Sequence, residues 1–338
     1  MATIRAYEIT GSELTQVDRP EPVAGPGQVV VRIRATSLNY RDLMVIQGRY
    51  SRRPGPVRGI VPLSDGAGEV VAVGTGVTRF AIGDRVAATF MQTWTNGPLE
   101  RHHGASDLGG GIDGTLAERV AFPETGLVRI PDHLSFEQAA TLPCAAVTAW
   151  NALFEAAVTR PGNTVLVQGT GGVSIAALQL ARAVGARVIA TSSSDAKLAR
   201  ARELGATATI NYKTTPAWGD EATRLTGGAG VDHVIEVGGA GTFEQSLAAI
   251  RLGGTISYIG VLTGTAGQSA VGNILRKTAR VHGIYVGSRT MFESLNAALT
   301  ERRIIPVIDR VFRFSEAVEA YRYLESGAHF GKVVIAVD

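Results

Sequence analysis

The clearest chemical signal in the chain is the run Gly-Thr-Gly-Gly-Val-Ser at residues 169–174. A short apolar run, residues 164–168, precedes it and predicts a buried strand. Apolar residues at helical spacing follow it (Ile175, Leu178, Leu180, Ala181, Val184), and Gly185 ends that pattern. Residues 187–190 predict the next strand, so the stretch forms one strand–turn–helix–strand unit with a right-handed crossover. A helix start offers unpaired N–H groups and the positive end of the helix dipole, and glycines there let a pyrophosphate approach the backbone. Gly169, Gly171, Gly172, Val173 and Ser174 are therefore expected to cradle a dinucleotide. Ser174 stands where the usual fingerprint has its third glycine. The competing reading is a glycine turn that holds no ligand.

The residues after the second strand bear on which dinucleotide. NAD sites place an acid there to hold the ribose hydroxyls. This chain has Thr191-Ser192-Ser193-Ser194, with Lys197 four residues beyond Ser193. Hydroxyls donate to a phosphate and a lysine neutralises it, so Ser192, Ser193 and Lys197 favour NADPH. Asp195 is expected to cap the next helix. The alternative is that the serines only cap that helix and Lys197 is solvated.

These groups must be positioned by a chain of 338 residues, long enough for about two domains. Residues 1–123 contain short strand-like runs (4–9, 28–36, 67–73, 85–88, 117–122) separated by Gly- and Pro-rich turns. That pattern predicts a small β-barrel with a helical turn at 39–48 and a long polar loop at 91–114, where Phe90 and Trp94 could form an apolar wall. From Ser135 the pattern becomes helical, with starts near 135 and over 145–157. Strands expected at 207–212, 232–237, 254–262 and 281–287 then alternate with helices at 218–226, 242–250 and 271–277, which predicts a doubly wound parallel sheet. A helix at 291–304, a strand at 307–311, a helix at 315–325 and a strand at 332–337 close the chain. The last strand has no place in the nucleotide sheet, so the first domain is expected to be discontinuous: residues 1–123 with 288–338, around a dinucleotide-binding domain at 124–287.

Composition narrows the function. The lone cysteine, Cys144, excludes an internal disulfide and a multi-cysteine zinc cage. It sits in an apolar helix start and reads as a buried small hydrophobe. A net charge of +3 does not call for nucleic acid. No apolar run reaches membrane-spanning length, and the N-terminal MATIRAYEIT lacks a signal pattern, so a cytoplasmic location is expected.

Several further stretches, SLNYRDLMVIQGRY (37–50), PLSDGAGEVVAVGTGVTRFAIGDRV (62–86), GTLAERV (114–120), TLPCAAVTAWNAL (141–153) and GKVVI (331–335), together with the nucleotide stretch, resemble the medium-chain dehydrogenase/reductase superfamily over essentially the whole chain. The resemblance implies an α/β protein: a GroES-like β-barrel catalytic domain and a Rossmann domain, with the active site in the cleft between them. Zinc-dependent members of that superfamily hold the metal on Cys, His and Cys. The corresponding positions here are Asn39, Ser64 (followed by Asp65) and Cys144, and residues 91–114 contain no cysteine for a structural zinc. His102 and His103 are read as loop residues. No metal is therefore expected, and the resemblance narrows to the zinc-free quinone oxidoreductase and enoyl reductase branch.

In that branch a nicotinamide supplies hydride to a carbon made electron-poor by hydrogen-bond donors, and a proton completes the reduction. The resemblance puts Asn39 at the cofactor or the substrate oxygen and Tyr50 as the proton donor, directly or through a water, Tyr50 alternatively being an ordinary amphipathic wall residue. Arg41 and Asp42 read as an internal ion pair or a helix cap that braces the site. The resemblance adds Thr148, Tyr212, Gly260, Val261, Val286, Gly287, Phe330 and Lys332 as cofactor contacts, Phe330 alternatively being plain core. Arg49, Arg52, Arg53 and Arg58 form a basic cluster that is either a solvated loop or a mouth for an anionic substrate tail. The strand at 281–287 is expected to pair with its twin in a homodimer. The expected activity is NADPH-dependent, zinc-independent reduction of an enone, quinone or enoyl substrate. The alternatives are a zinc-free carbonyl or alcohol oxidoreductase, and a cofactor-binding protein without turnover.

Overall fold

The computed structural model describes residues 2–50, 59–264, 266–267 and 271–338. They divide into two compact units, Met1–Val147 with Gly287–Asp338, and Thr148–Val286. Among the described residues no helix is long and apolar enough to cross a membrane.

The first unit is built on a seven-stranded sheet. Its order is Ile308–Arg313, Lys332–Ala336, Gln28–Leu38, Asp65–Val73, Arg85–Ala88, Leu127–Arg129, with Arg119–Pro123 added to Gln28–Leu38. The chain's last strand thus lies in the first unit, antiparallel to Gln28–Leu38, with Val333 opposite Leu38. That register brings Lys332 to the residues that open the short helix Tyr40–Ile46. Side chains of the inner faces, among them Val31, Ile33, Leu38, Leu63, Val70, Phe122 and Val333, make one continuous apolar core.

Three details of this unit differ from expectation. The strand Glu13–Pro20 reads as polar in sequence, yet it pairs with Thr3–Thr10 through a two-residue turn that Gly11 makes possible at φ +69. Residues 124–147 stand in this unit because Leu127–Arg129 pairs with Arg85–Ala88 and the Ser37 hydroxyl donates to the carbonyl of Ala140. Residues 91–114 are pinned: Arg101–Ser106 is a 3-10 helix, and Met91 and Asp107 form a bridge. Phe90 and Trp94 are buried there, Trp94 stacked near the ring of His103, which is itself buried and accepts from the N–H of Glu100.

The second unit is a six-stranded, wholly parallel sheet. Its order is Ala208–Asn211, Arg187–Ser192, Thr164–Gln168, Val231–Glu236, Ile250–Tyr258, Arg280–Gly283. Numbered within this unit, that is 3-2-1-4-5-6, the doubly wound order whose direction switches between Thr164–Gln168 and Val231–Glu236. Thr164–Gln168 is buried at every position, as a central strand flanked on both faces must be. The strand expected at 254–262 runs instead over Ile250–Tyr258, and its C-terminal turn brings Gly260 so close to Val237 that a side chain would collide with it. The last strand is Arg280–Gly283 rather than 281–287, an exposed edge strand. The helical stretch expected at 145–157 is a wide π turn at Leu142–Ala146, a short α segment at Val147–Trp150 and a second π turn at Asn151–Ala156. Together these elements make an α/β protein that combines GroES-like and Rossmann folds.

His233 lies within the central strands, hydrogen-bonded to Ser257 at 2.8 Å and Thr159 at 3.4 Å. Burial pushes its imidazole down to about 4 from an ordinary 6.5. The folded state thus holds it neutral, so its contribution to stability is complete above pH 6.5 and is lost as pH falls toward 4. Between about pH 7.5 and 4.5 that loss is on the order of 2–3 kcal/mol. Urea unfolding at the two pH values should show this fall in the native chain, and His233→Gln should remove that part of it.

Candidate functional site

The glycine turn sits at the C-terminal end of Thr164–Gln168. Gly169 takes φ +67 with open space where a Cβ would be, and Gly171 caps the helix Gly172–Ala183 without any side-chain acceptor. The helix start therefore offers its N–H groups to a ligand. Ser174 is buried, and its hydroxyl donates to the carbonyl of Gln168 at 2.6 Å. Its side chain ties the helix back to the strand, which explains why a serine is tolerated where the fingerprint has a glycine.

A carboxylate that sequence reasoning missed braces the neighbouring strand end. Glu236 is fully buried and accepts from Gln168 Nε2 (2.7 Å), the N–H groups of Gly238 (2.8 Å) and Gly239 (2.9 Å), the hydroxyl of Thr242 (2.6 Å), and Ser246. The signal was available: an acid closing the apolar run VDHVIE just before two glycines.

At the end of Arg187–Ser192 no acid intervenes before Asp195. Ser192 is buried and accepts from the N–H of Ser194, while Ser193 and Lys197 are partly exposed. Ser194 is the helix cap, accepting from the N–H of Lys197, and this corrects the expectation for Asp195. Asp195 is the first residue of the helix and accepts from Asn211 Nδ2 at 2.8 Å. Tyr212, next to this end, is 41% exposed and so free of the core. Thr148 is buried. Val286 adopts φ +53, and its carbonyl accepts from Asn151 Nδ2 at 2.7 Å. Gly287 and Ser288 serve packing and capping: a side chain at Gly287 would press on Val147, and Ser288 caps Arg289–Arg302. Val261 follows Gly260 in the turn beyond Ile250–Tyr258. An uncapped glycine turn and an acid-free second strand fit a nicotinamide dinucleotide.

The first unit holds a separate polar node. Lys332 is nearly buried, and its ammonium donates to the carbonyl of Leu38 (2.6 Å), Asn39 Oδ1 (2.7 Å) and Asp65 Oδ2 (3.5 Å). Asp65 is fully buried and also accepts from Ser64 (2.8 Å), Ser37 (3.4 Å) and the N–H of Cys144 (3.3 Å). The Asn39 backbone N–H donates to Asp42 at 2.7 Å, while Asn39 Nδ2 is buried with no hydrogen-bond partner among the described residues. Burial, with Asp65 next, pushes the Cys144 thiol well up, so it is held protonated. Phe330 is buried two residues before Lys332.

Arg41, two residues beyond Asn39, is the brace expected of it, with a partner from the long loop that the sequence does not reveal. It donates to Asp107 (2.6 Å), the carbonyl of Leu108 (2.8 Å) and Asp42 (3.2 Å), and its guanidinium lies 4.6 Å from the centre of the Tyr50 ring. Burial opposes its charge, but Tyr50, Asp42 and Asp107 more than offset this and raise its pKa. Burial pushes the Asp42 carboxyl up to about 6, against the pull of Arg41. Tyr50 packs on Ile9, Val45 and Ile60. Of the basic cluster, Arg49 is exposed and bonded to Gln47, whereas Arg52, Arg53 and Arg58 lie outside the described residues.

The donor set does not fit zinc. Asn39, Ser64 and Cys144 offer an amide, a hydroxyl already given to Asp65 and a single thiol, and an ammonium stands 2.7 Å from the amide oxygen. Among the described residues no three His, Cys, Asp or Glu side chains converge as metal ligands do.

Asp107→Ala would leave the buried Arg41 without its shortest counter-charge. It should cost about 3 kcal/mol or more in urea unfolding. Pairing it with Arg41→Met should recover much of that loss, and equal losses in the single and double variants would refute the ion-pair brace.

Comparison with known proteins identifies the family of the fold. The alcohol dehydrogenase GroES-like domain family matches residues 25–132, and the zinc-binding dehydrogenase family matches residues 172–301. A zinc-type alcohol dehydrogenase-like protein of Schizosaccharomyces pombe is 48% identical, covering 93% of this chain and 92% of its own. An acryloyl-coenzyme A reductase of Metallosphaera sedula is 31% identical, covering 96% of each. The crystal structure of a putative alcohol dehydrogenase from Sinorhizobium meliloti 1021 superposes with a TM-score of 0.92 at 42% identity, covering 99% of this chain and 98% of that one. With its GroES-like and Rossmann units and these relatives along nearly its whole length, the chain belongs to the medium-chain dehydrogenase/reductase superfamily and is an oxidoreductase of that type.

Proposed function

We propose that this chain is an NADPH-dependent, metal-independent reductase of alkenes conjugated to a carbonyl, with quinones as related acceptors. The observation that carries the reading is the Asn39 amide, whose oxygen is engaged by the Lys332 ammonium while its buried Nδ2 has no partner among the described residues. Such a donor can stabilise a substrate oxygen as charge develops on it. Similarity to an acryloyl-coenzyme A reductase supports the substrate class.

A nicotinamide held by the glycine turn would supply the hydride that the β carbon of the alkene accepts. Asn39 Nδ2 donates to the carbonyl oxygen as it becomes an enolate. Tyr50 gives its phenolic proton to the α carbon, and the Arg41 guanidinium beside its ring offsets the charge left behind. Gly169, Gly171, Gly172, Val173 and Ser174 hold the pyrophosphate at the helix start. Ser192, Ser193 and Lys197 meet a 2′-phosphate, and no acid at the strand end repels it. Thr148, Tyr212, Gly260, Val261, Val286, Gly287 and Phe330 complete the cofactor contacts. The exposed edge strand Arg280–Gly283 would otherwise present unpaired backbone groups, and a two-fold copy of the chain satisfies it in a homodimer.

One panel separates the readings: NADPH oxidation with an enone, a naphthoquinone, an enoyl thioester and an aldehyde, each with and without a chelator. Turnover of the conjugated alkenes, unchanged by chelation, is the expected result. Preference for the aldehyde would favour a carbonyl oxidoreductase, and loss with chelator would sink the metal-free mechanism. NADPH binding should exceed NADH binding, and Lys197→Ala should weaken NADPH roughly tenfold while leaving NADH unchanged.

A further inference from the structure

An amide has an oxygen at one end and an NH2 at the other, and only its surroundings decide which end faces which way. A lysine ammonium decides this without ambiguity because it donates and never accepts. Lys332 has three N–H groups and three acceptors: the carbonyl of Leu38, Asn39 Oδ1 and Asp65 Oδ2. Its charge is nearly buried, and Asp65 is anchored in turn by Ser64, Ser37 and the N–H of Cys144. The node is satisfied apart from one group, Asn39 Nδ2, which is buried without a partner among the described residues. An orphaned buried donor is costly and calls for an explanation.

We propose that Lys332 is a positioning residue that locks the Asn39 amide with its oxygen inward and its NH2 held as a donor for the substrate oxygen. This rests on the reading of Asn39 as the polarising group. Without the ammonium, the amide can turn over and set its own oxygen against that of the substrate, so a donor becomes a repeller. Lys332 thus acts through Asn39.

The test is a double-mutant cycle of Asn39→Ala and Lys332→Met, with kcat and KM for an enone at saturating NADPH and the Kd of a substituted phenolate as a non-reacting oxyanion mimic. Lys332→Met should lower kcat roughly 10- to 100-fold with KM changed less than about threefold, and should weaken phenolate binding. Asn39→Ala should do the same, and the double variant should be no worse than Asn39→Ala alone. Independent, multiplying losses would overturn the proposal, because Lys332 would then act elsewhere, for instance directly on the cofactor. Unchanged kcat and phenolate affinity in Asn39→Ala would instead remove the underlying reading of Asn39. Should Lys332→Met fail to fold, Lys332→Gln, uncharged but polar, takes its place in the same cycle.

Discussion

The ammonium of Lys332 ties the end of the chain to its beginning. Burying such a charge costs several kcal/mol unless its donors are met. Here the carbonyl of Leu38, the Asn39 amide and Asp65 meet them within one small region. The arrangement depends on backbone register: Lys332–Ala336 runs antiparallel to Gln28–Leu38, and Val333 faces Leu38. A one-residue slip would turn Lys332 to the opposite face of the sheet and leave Asp65 buried without its counter-charge. The polar node and the sheet therefore specify each other, and the helix Tyr40–Ile46 starts from the same point, with Asn39 as its cap and Asp42 accepting the Asn39 N–H.

The second unit solves a different problem by similar means. Its central strands end beside each other where a ligand must approach backbone, so side chains cannot fill that space. Glu236, with Gln168, Ser246, Thr242 and two glycine N–H groups, ties the two strand ends together from beneath, and Ser174 ties the helix to its strand. The turn above is kept open by Gly169 in a backbone conformation that most residues avoid. The Gly169 N–H is itself given to Thr191 Oγ1 at 3.3 Å, so these polar contacts hold both the strand ends and the turn in place.

Much of this was legible in the sequence, for reasons that differ from element to element. The glycine turn announced itself because strand, turn and helix each have a local period. The return of the last strand to the first unit could be read by elimination. The strand Glu13–Pro20 could not, because one face of a surface hairpin needs no apolar pattern. The brace at Arg41 was expected with Asp42 alone, since Asp107 lies sixty-six residues away in a loop whose course no local rule predicts. Resemblance puts Lys332 among the cofactor contacts, whereas in the fold its three donors are taken by the chain itself. The acid closing VDHVIE carries only a weak local signal of its role, because an isolated glutamate usually means a solvated surface.

The Lys332 ammonium stands 2.7 Å from the Asn39 amide oxygen and 3.5 Å from Asp65, which leaves a cation no donor set of its own there. Equilibrium dialysis of the purified chain against zinc, followed by elemental analysis, tests that most directly. The expected result is no stoichiometric zinc. Retention of one zinc per chain, lost in Cys144→Ser, would contradict it.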